Sequence, residues 1–526
     1  FPIFEIFAST SSTGLPIKAL IPLLPIFCLL AISSLRFIES FLLNRFSLNK
    51  NFKKPIWIKL TVFGLSALLI ISNTITTVER NMPNKNYYKY TSENTIQYNK
   101  EFTDTVQNTL NSNQPIYRSN MTNYSTGLNI YNNVFSPNQF SDSIYTSINS
   151  QNWQNYHWQK LWTASKGVYP WVMPAADSPL ADILQGVKYH FTTSSEDKNA
   201  ITGYKYIAPH IYQNNSVFSI GYASNNIFSN INNMTDIEQT ACLTQGIATQ
   251  GVAVQKIDTK ENIKESQTLP KTDHFETVDL ANLAEQITQH NNSSRDNTKD
   301  NSENKKNISF EYNLPKQIEN KPLFIKVNLQ QNSQSSKIDS YLTINNVKNT
   351  IAYAKQQWLG YSDLHYVLSP DKNGAINKLT INLLPDHWNI KNIEAFTMPT
   401  NDLLNAYKYF DQMNVDSITT AGISGNINIS HNNSVLAIST AWEPGFSLKI
   451  DGIQTPIFEA NGGIIGSFIN KGQHRIELEF HAPYYNAGLV ISLATLVLLI
   501  LLYLIKSLNK GFGRNKKYYN KKASKN

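Results

Sequence analysis

The stretch AGLVISLATLVLLILLYLI, Ala487 to Ile505, carries no charged side chain and is followed by Lys506, Lys510, Arg514, Lys516, Lys517, Lys521, Lys522 and Lys525 without a single acid. At about 1.5 Å of rise per residue such a run nearly crosses a hydrocarbon layer of roughly 30 Å, so it reads as a transmembrane helix. Short segments rich in Lys and Arg resist translocation, which places the tail 506–526 in the cytoplasm. A helix buried in a large soluble core is the competing reading, and it does not account for the basic tail.

Two more apolar runs lie at the other end of the chain, Ala19 to Phe37 and Leu60 to Ile75. Between them stand Arg36, Arg45, Lys50, Lys53, Lys54 and Lys59 against one acid, Glu39. The second run is short, so Ile56, Trp57 and Ile58 must be recruited, with Lys59 snorkelling toward the headgroups. A cleaved signal peptide is disfavoured for the first run, because its positive charges mostly follow the apolar core where a signal peptide has them in front. Parity then puts residues 78–486 outside the cell. Setting the fifteen basic and two acidic residues of the flanking parts aside from totals of 46 and 38 leaves 31 basic and 36 acidic side chains outside, a net −5. The whole-chain charge of +8 therefore reflects membrane topology and gives no argument for nucleic acid as a partner. The chain begins with Phe1, and 1–16 reads as the end of an outer loop, so the expectation is a C-terminal fragment of a multi-pass protein of the cell membrane.

The expected fold class is an integral membrane protein: transmembrane α-helices plus a large extracytoplasmic region made of an α/β domain and two β-sandwich-like domains. The expected divisions are 1–77 with two helices and a basic loop, 78–254 as an aromatic-rich α/β domain, 255–307 as a flexible polar linker, 308–398 as a β-sandwich-like domain, 399–416 as a helical connector, 417–482 as a β-meander, 487–505 as the last helix and 506–526 as the tail. Cys28 lies in an expected span and Cys242 outside it, so the outer region must rest on apolar cores rather than disulfides. Tripeptides such as Asn120-Met121-Thr122 reflect the Asn- and Ser-rich composition, and glycosylation is not read into them.

Trp153, Trp158, Trp162 and Trp171 cluster among polar residues and are the candidate glycan contacts, since indole faces stack on the apolar face of a pyranose. The bland alternative makes them core or membrane-interface rings. Segments Val187 to Thr192 and Ser216 to Tyr222 look like strands. Residues 291–307 hold no large apolar side chain and cannot offset the cost of ordering, although a short helix fits Leu280 to Ile287. From Ile308 the texture becomes β, with expected strands Ile308 to Tyr312, Leu323 to Leu329, Ser340 to Ile344, Asp363 to Leu368 and Lys378 to Leu384. Leu403, Leu404, Tyr407 and Phe410 share one face of an expected helix, Thr400 to Met413. In the last unit, Val435 to Thr440, Phe446 to Ile450, Pro456 to Ala460, Ile464 to Phe468 and His474 to Phe480 alternate with turns at Asp451-Gly452, Asn461-Gly462-Gly463 and Lys471-Gly472. Trp442 is expected to be a core residue there, with replacement by Ala costing about 3–5 kcal/mol.

The ordered set Ala441-Trp442-Glu443-Pro444-Gly445-Phe446, Lys449-Ile450-Asp451-Gly452, Asn461-Gly462-Gly463 and Lys471-Gly472-Gln473-His474, then an apolar helix, resembles the C-terminal end of the YfhO family of bacterial membrane proteins. The segment Asp182 to Tyr189 followed by Ile211-Tyr212-Gln213-Asn214 is similar to that family's outer motif, and the resemblance runs from Leu15 to Leu504. It implies a polytopic protein similar to the GT-C glycosyltransferases, with a polyprenyl-phosphate sugar donor and a surface polymer such as teichoic or lipoteichoic acid as acceptor. The expected catalytic acid of such enzymes lies in a first outer loop that this chain does not contain, so the catalytic residues remain unknown.

The residues themselves offer no competing chemistry. Asp411, Glu443, Asp451 and Glu459 have no spacing that enforces a glycosidase pair. The ten histidines follow no metal-ligand spacing, and Asn461-Gly462-Gly463 sits between strands, without the helix that a phosphate site needs. No cofactor-binding or metal residue is identified, and a divalent metal, if used, belongs to the upstream part. The alternative to a glycosyltransferase is a non-catalytic membrane-anchored protein whose outer β domains bind cell-wall glycan or a partner protein. The lipid bilayer is the expected partner on either reading.

Overall fold

The computed structural model describes residues 202–229, 231–249, 269–296, 307–331, 340–352, 363–371, 373–385, 388–419 and 422–502, together with shorter stretches from 104 to 192, chiefly 116–122, 156–164 and 178–192. All of these belong to one unit, Glu101–Asn526. The expected spans at 19–37 and 60–75, the basic loop and the basic tail lie outside the described residues. Among the described residues one helix is long and apolar enough to cross a membrane, Tyr485–Leu502, with mean hydropathy 2.3 and no part covered by the rest of the unit.

A seven-stranded sheet is the centre of the unit. Its order is Asp411–Gln412, Gly221–Ser224, Ser434–Ala441, Ile464–Ile469, Phe458–Ala460, Ile247–Thr249 and Ile227–Ser229. Successive strand residues point to opposite faces, and here both faces are buried. Val435 and Ala437 enter one core with Tyr222, Phe228 and Ile464, while Leu436 and Ile438 enter another with Ala223, Ile465 and Ile469. That is why Val435 to Ile438 is a continuous apolar run without alternation.

The second of these cores is closed by a five-stranded antiparallel sheet, ordered Asn414–Ile418, Gly422–Ile429, Gly472–Phe480, Phe446–Ile450 and Ile453–Thr455. Ile427, Ile429, Leu448, Ile476 and Leu478 are its inward side chains. The alternating strand expected at His474 to Phe480 is therefore an outer-sheet strand with one buried face. Trp442 is only partly buried against this core.

These pairings correct the expected β-meander at 417–482. The Asp451-Gly452 and Asn461-Gly462-Gly463 turns do close local pairs. Ser434–Ala441, however, pairs with Ile464–Ile469 rather than with Phe446–Ile450, and the chain crosses from the central to the outer sheet at Lys471-Gly472. The boundary expected at residue 254 falls as well, because Gly221–Ser224 pairs with Ser434–Ala441 in one sheet. A strand that is apolar on both sides must find cover on both faces, and chain-distant segments supply it. The expected helix Thr400 to Met413 is likewise shorter, helical over Thr400–Asn405 and Ala406–Tyr409 before Asp411–Gln412 joins the central sheet. Leu403, Leu404, Tyr407 and Phe410 all reach the first core.

A second five-stranded sheet, mixed in direction, is ordered Gln139–Ser141, Tyr117–Thr122, Val187–Thr192, Ile211–Gln213 and Lys205–Ala208. It is fed by the buried helix Pro179–Gln185, whose first turn is capped by the Ser178 hydroxyl accepting from the Ala181 N–H. Gly186 ends the helix at φ 74°, and a Cβ there would lie 2.6 Å from the Phe218 carbonyl oxygen. Glycine is required on both counts.

Residues 308–397, with the short strand Glu276–Thr277, form two four-stranded antiparallel sheets that share one core. One is ordered Glu276–Thr277, Trp388–Thr397, Leu323–Gln331 and Asp363–Leu368; the other Ile308–Glu319, Ala375–Leu384, Ser340–Ile344 and Val347–Ala352. The helix Ala281–Asp296 lies on this core through Leu280, Leu283 and Ile287, and the buried Asn291 amide donates to the Trp388 carbonyl at 2.6 Å. The flexible linker expected across 255–307 is thus corrected for 269–296. Three apolar residues at helical spacing were enough to anchor a segment whose other faces are polar.

Candidate functional site

The four tryptophans separate. Trp162 is 2% exposed, its ring held edge-on by Phe324 and Phe396 and its Nε1 donating to Thr240 Oγ1 at 3.1 Å. Its faces are taken, so it is a core residue and cannot stack on a sugar. Trp153 is buried beside Tyr156 and His157. Trp158 is half-buried, and Trp171 lies outside the described residues.

Trp158 belongs to a single π-helical turn, Tyr156–Lys160, a geometry that recurs at functional sites. Beside this turn opens a polar cavity of about 410 Å³. Its walls come from four chain-distant places.

The floor is the sheet Leu323–Gln331 with Asp363–Leu368. Lys326 and His365 are direct cross-strand partners, and Asp363 stands opposite Asn328. Period-2 alternation explains the placement: Leu323, Ile325 and Val327 point into the two-sheet core, while Phe324 and Lys326 point the other way. The same holds for Leu364 and Tyr366 against Asp363, His365 and Val367. One wall is the helix Asp236–Gln245, begun by a capping box in which Thr235 and Glu238 exchange hydrogen bonds. It presents Asp236 and, one turn on, Gln239. The π turn supplies Gln159 and Lys160, and the strand and turn Phe458 to Gly463 supply Glu459 and Gly462.

The turn Asn461-Gly462-Gly463 does more than close a hairpin. Asn461 is buried at φ 52°, its Oδ1 accepting from the Ala248 N–H at 2.8 Å and its Nδ2 donating to the Tyr222 hydroxyl at 3.2 Å. A Cβ on Gly462 would press on Lys160 Cε at 3.0 Å, and one on Gly463 would meet Tyr156 Cβ at 2.5 Å and the Asn152 carbonyl oxygen at 2.6 Å. The two glycines let the central sheet approach the π turn closely enough for Lys160 and Glu459 to share the cavity.

The two lysines of the cavity are already partnered within it. Lys326 Nζ lies 3.0 Å from Asp236 Oδ2. Burial pulls the Lys326 pKa down, but the hydrogen bond and charge of Asp236 outweigh it and the net shift is upward. Lys160 is 6% exposed, donates to Gln239 Oε1 at 2.9 Å, and has its pKa lowered by burial, with Asp236 opposing. Burial raises Glu459 against the pull of Lys160. His365 is neutral, held down to about 4 by burial and then by Lys326. This arrangement can hydrogen-bond a polar ligand, and it contains no side chain poised as a nucleophile. The Cys242 thiol is fully buried and its pKa is pushed up by burial, so it is inert. Among the described residues no group of three His, Cys, Asp or Glu side chains could hold a metal ion.

Sequence reasoning missed this site. It weighed Glu459 only as half of a carboxylate pair and read Asn461-Gly462-Gly463 as a plain turn. The signal it could have used is the charged residue at alternate positions of otherwise apolar strands, Lys326 and Asp363 above all.

A β-rich module with a polar cleft, followed by an apolar helix long enough to cross a membrane, fits a membrane-anchored protein. The family model for the bacterial membrane protein YfhO matches residues 4–492, and the chain belongs to that family. A curated relative, the uncharacterized protein YfhO of Bacillus subtilis (strain 168), is 26% identical over 124 residues, which are 23% of this chain and 14% of that protein's length. Among solved structures, the arabinofuranosyltransferase AftD from Mycobacteria aligns at TM-score 0.16 with 14% identity, over 37% of this chain and 14% of that one. The dimeric latent PorU from Porphyromonas gingivalis aligns at TM-score 0.12 with 9% identity, over 33% of this chain and 17% of that one. Similarity at that level assigns neither fold nor chemistry.

Proposed function

We propose that this chain is the C-terminal part of a polytopic membrane glycosyltransferase of the GT-C type, which moves a sugar from a polyprenyl-phosphate carrier to a surface polymer such as teichoic or lipoteichoic acid. The catalytic groups belong to an upstream part, and the outer module described above holds the acceptor. The observation that carries this reading is the cleft. Ten ionisable or amide-bearing side chains from chain-distant segments converge on one polar cavity, at a cost in desolvation that a purely structural junction does not need. Membership of a bacterial membrane family and the bare helix Tyr485–Leu502 support an envelope location. On this reading the spans 19–37 and 60–75 cross the bilayer and residues 78–486 face outward.

The test is the sugar content of wall polymers in cells that carry the full-length protein. Loss of the gene should lower that content, and the double variant Asp363→Asn, Glu459→Gln should lower it with the protein still present in the membrane. Unchanged polymer composition in the gene deletion would dispose of the enzyme reading and leave a binding role. Cysteine labelling of intact cells should reach position 452 and spare position 516.

A further inference from the structure

We propose that the cleft takes an uncharged, hydroxyl-rich sugar ring and rejects the phosphate of its polymer. This rests on the reading of the cleft as an acceptor site and narrows it to one chemical class.

Charge is the first argument. Anion sites keep cationic groups unneutralised so that the ligand completes the balance. Here the Lys326 ammonium is already held 3.0 Å from Asp236, and Lys160 lies within the field of both Asp236 and Glu459. Asp363 adds a third carboxylate near Lys326, and His365 contributes no charge. Three carboxylates face two lysines, so a phosphate arriving here meets a net negative site. Like-charge juxtaposition of this kind is a common device for excluding wrong ligands.

Hydrogen-bond inventory is the second argument. Carboxylates accept from paired hydroxyls, and amide side chains both donate and accept. Asp363 and Glu459 supply the first kind, and Gln159 and Asn232 the second, all on the cavity wall. A polyol uses both kinds at once, whereas a phosphate oxygen is an acceptor that carboxylates repel. The cavity, about 410 Å³, has the size of an ordinary small-molecule site.

The experiment uses the 526-residue chain in phosphatidylcholine nanodiscs and saturation-transfer NMR with two sets of probes. The neutral set is maltotriose, mannotriose, galactotriose and triacetylchitotriose; the anionic set is inorganic phosphate and a glycerol-phosphate trimer. At least one neutral trisaccharide should bind, and Asp363→Asn and Glu459→Gln should each weaken it about tenfold or more, as loss of a charged hydrogen-bond acceptor does. The anionic set should not bind the parent chain. Asp236→Asn, which frees Lys326 of its partner, should gain affinity for inorganic phosphate by about tenfold in low salt. Unchanged melting temperatures certify that the variants are folded.

If the glycerol-phosphate trimer binds more tightly than every neutral sugar, and does so through the cleft residues, the inference fails while the acceptor-site reading survives. If neither set binds, or if sugar binding ignores both carboxylate variants, the inference and the acceptor-site reading fall together.

Discussion

The central and outer sheets are built from neighbouring stretches of chain, yet they obey different rules. In the central sheet Val435 and Leu436 are adjacent in sequence and lie in different cores. In the outer sheet Gly422–Ile429 buries Gly425, Ile427 and Ile429 and leaves Asn426 and Asn428 exposed. One sheet is covered on both faces and the other on one. A strand's apolar pattern reports how many faces will be covered, but not which segments will cover them.

Side-chain deletions on the two sheets should differ most in their effect. Leu436→Ala, at a fully buried position between both sheets, should cost about 2–5 kcal/mol, read by denaturant unfolding. Ile453→Ala, at a position 72% exposed on the outer sheet's edge strand, should change stability by less than about 0.5 kcal/mol. Equal effects would mean that the two sheets do not differ as described.

Acid sharpens the contrast next. His157 on the π turn and His365 on the strand Asp363–Leu368 are held by burial down to about 3 and about 4 from an ordinary 6.5. The unfolded chain therefore binds more protons than the folded one once the pH drops below about 6.5. Stability is fully present above that value and declines as pH falls toward 4, by about 1.4 kcal/mol per pH unit for each histidine. The melting temperature should drop between pH 7.5 and 5, and the variant His157→Gln, His365→Gln should flatten the drop. A wild-type profile that is level over this range would contradict the burial of both rings.

Gly463→Ala should cost about 1–3 kcal/mol, because its new methyl would meet the backbone of Asn152 and the Cβ of Tyr156. A smaller change belongs to the hairpin of the outer sheet. Asp451 adopts φ 54°, and its carboxylate accepts from the Arg475 N–H at 2.8 Å and from His474 Nδ1 at 2.7 Å. Both bonds hold its pKa low. Asp451→Ala should cost about 1 kcal/mol, since the hairpin is exposed and water replaces most of what is lost. Thermal unfolding of the two variants side by side shows whether the glycine turn of the central sheet outweighs the aspartate turn of the outer one.

Much of this architecture was legible in advance because it is local. The strands at Ser340–Ile344 and Asp363–Leu368 stand where their composition and flanking turns put them. Leu403, Leu404, Tyr407 and Phe410 reach one core because helical spacing aligned them. The polar texture of 255–307 misled for an equally physical reason. Average composition hides a stripe, and Leu280, Leu283 and Ile287 suffice to dock a helix. The tryptophan cluster divides instead, with Trp162 in the core and Trp158 half-buried on the π turn, because neighbours in sequence need not face the same way.

The membrane-protein family, the apolar helix Tyr485–Leu502, and many strands and turns are therefore written locally in the chain. Backbone hydrogen-bonding needs and side-chain periodicity act over a few residues, and a few residues are enough to read them. The strand pairing, and the cleft in which Lys160, Lys326, Asp363 and Glu459 meet, arise from long-range packing. Covering both faces of the central sheet requires segments more than two hundred residues apart, and no local pattern records which partner closes which face.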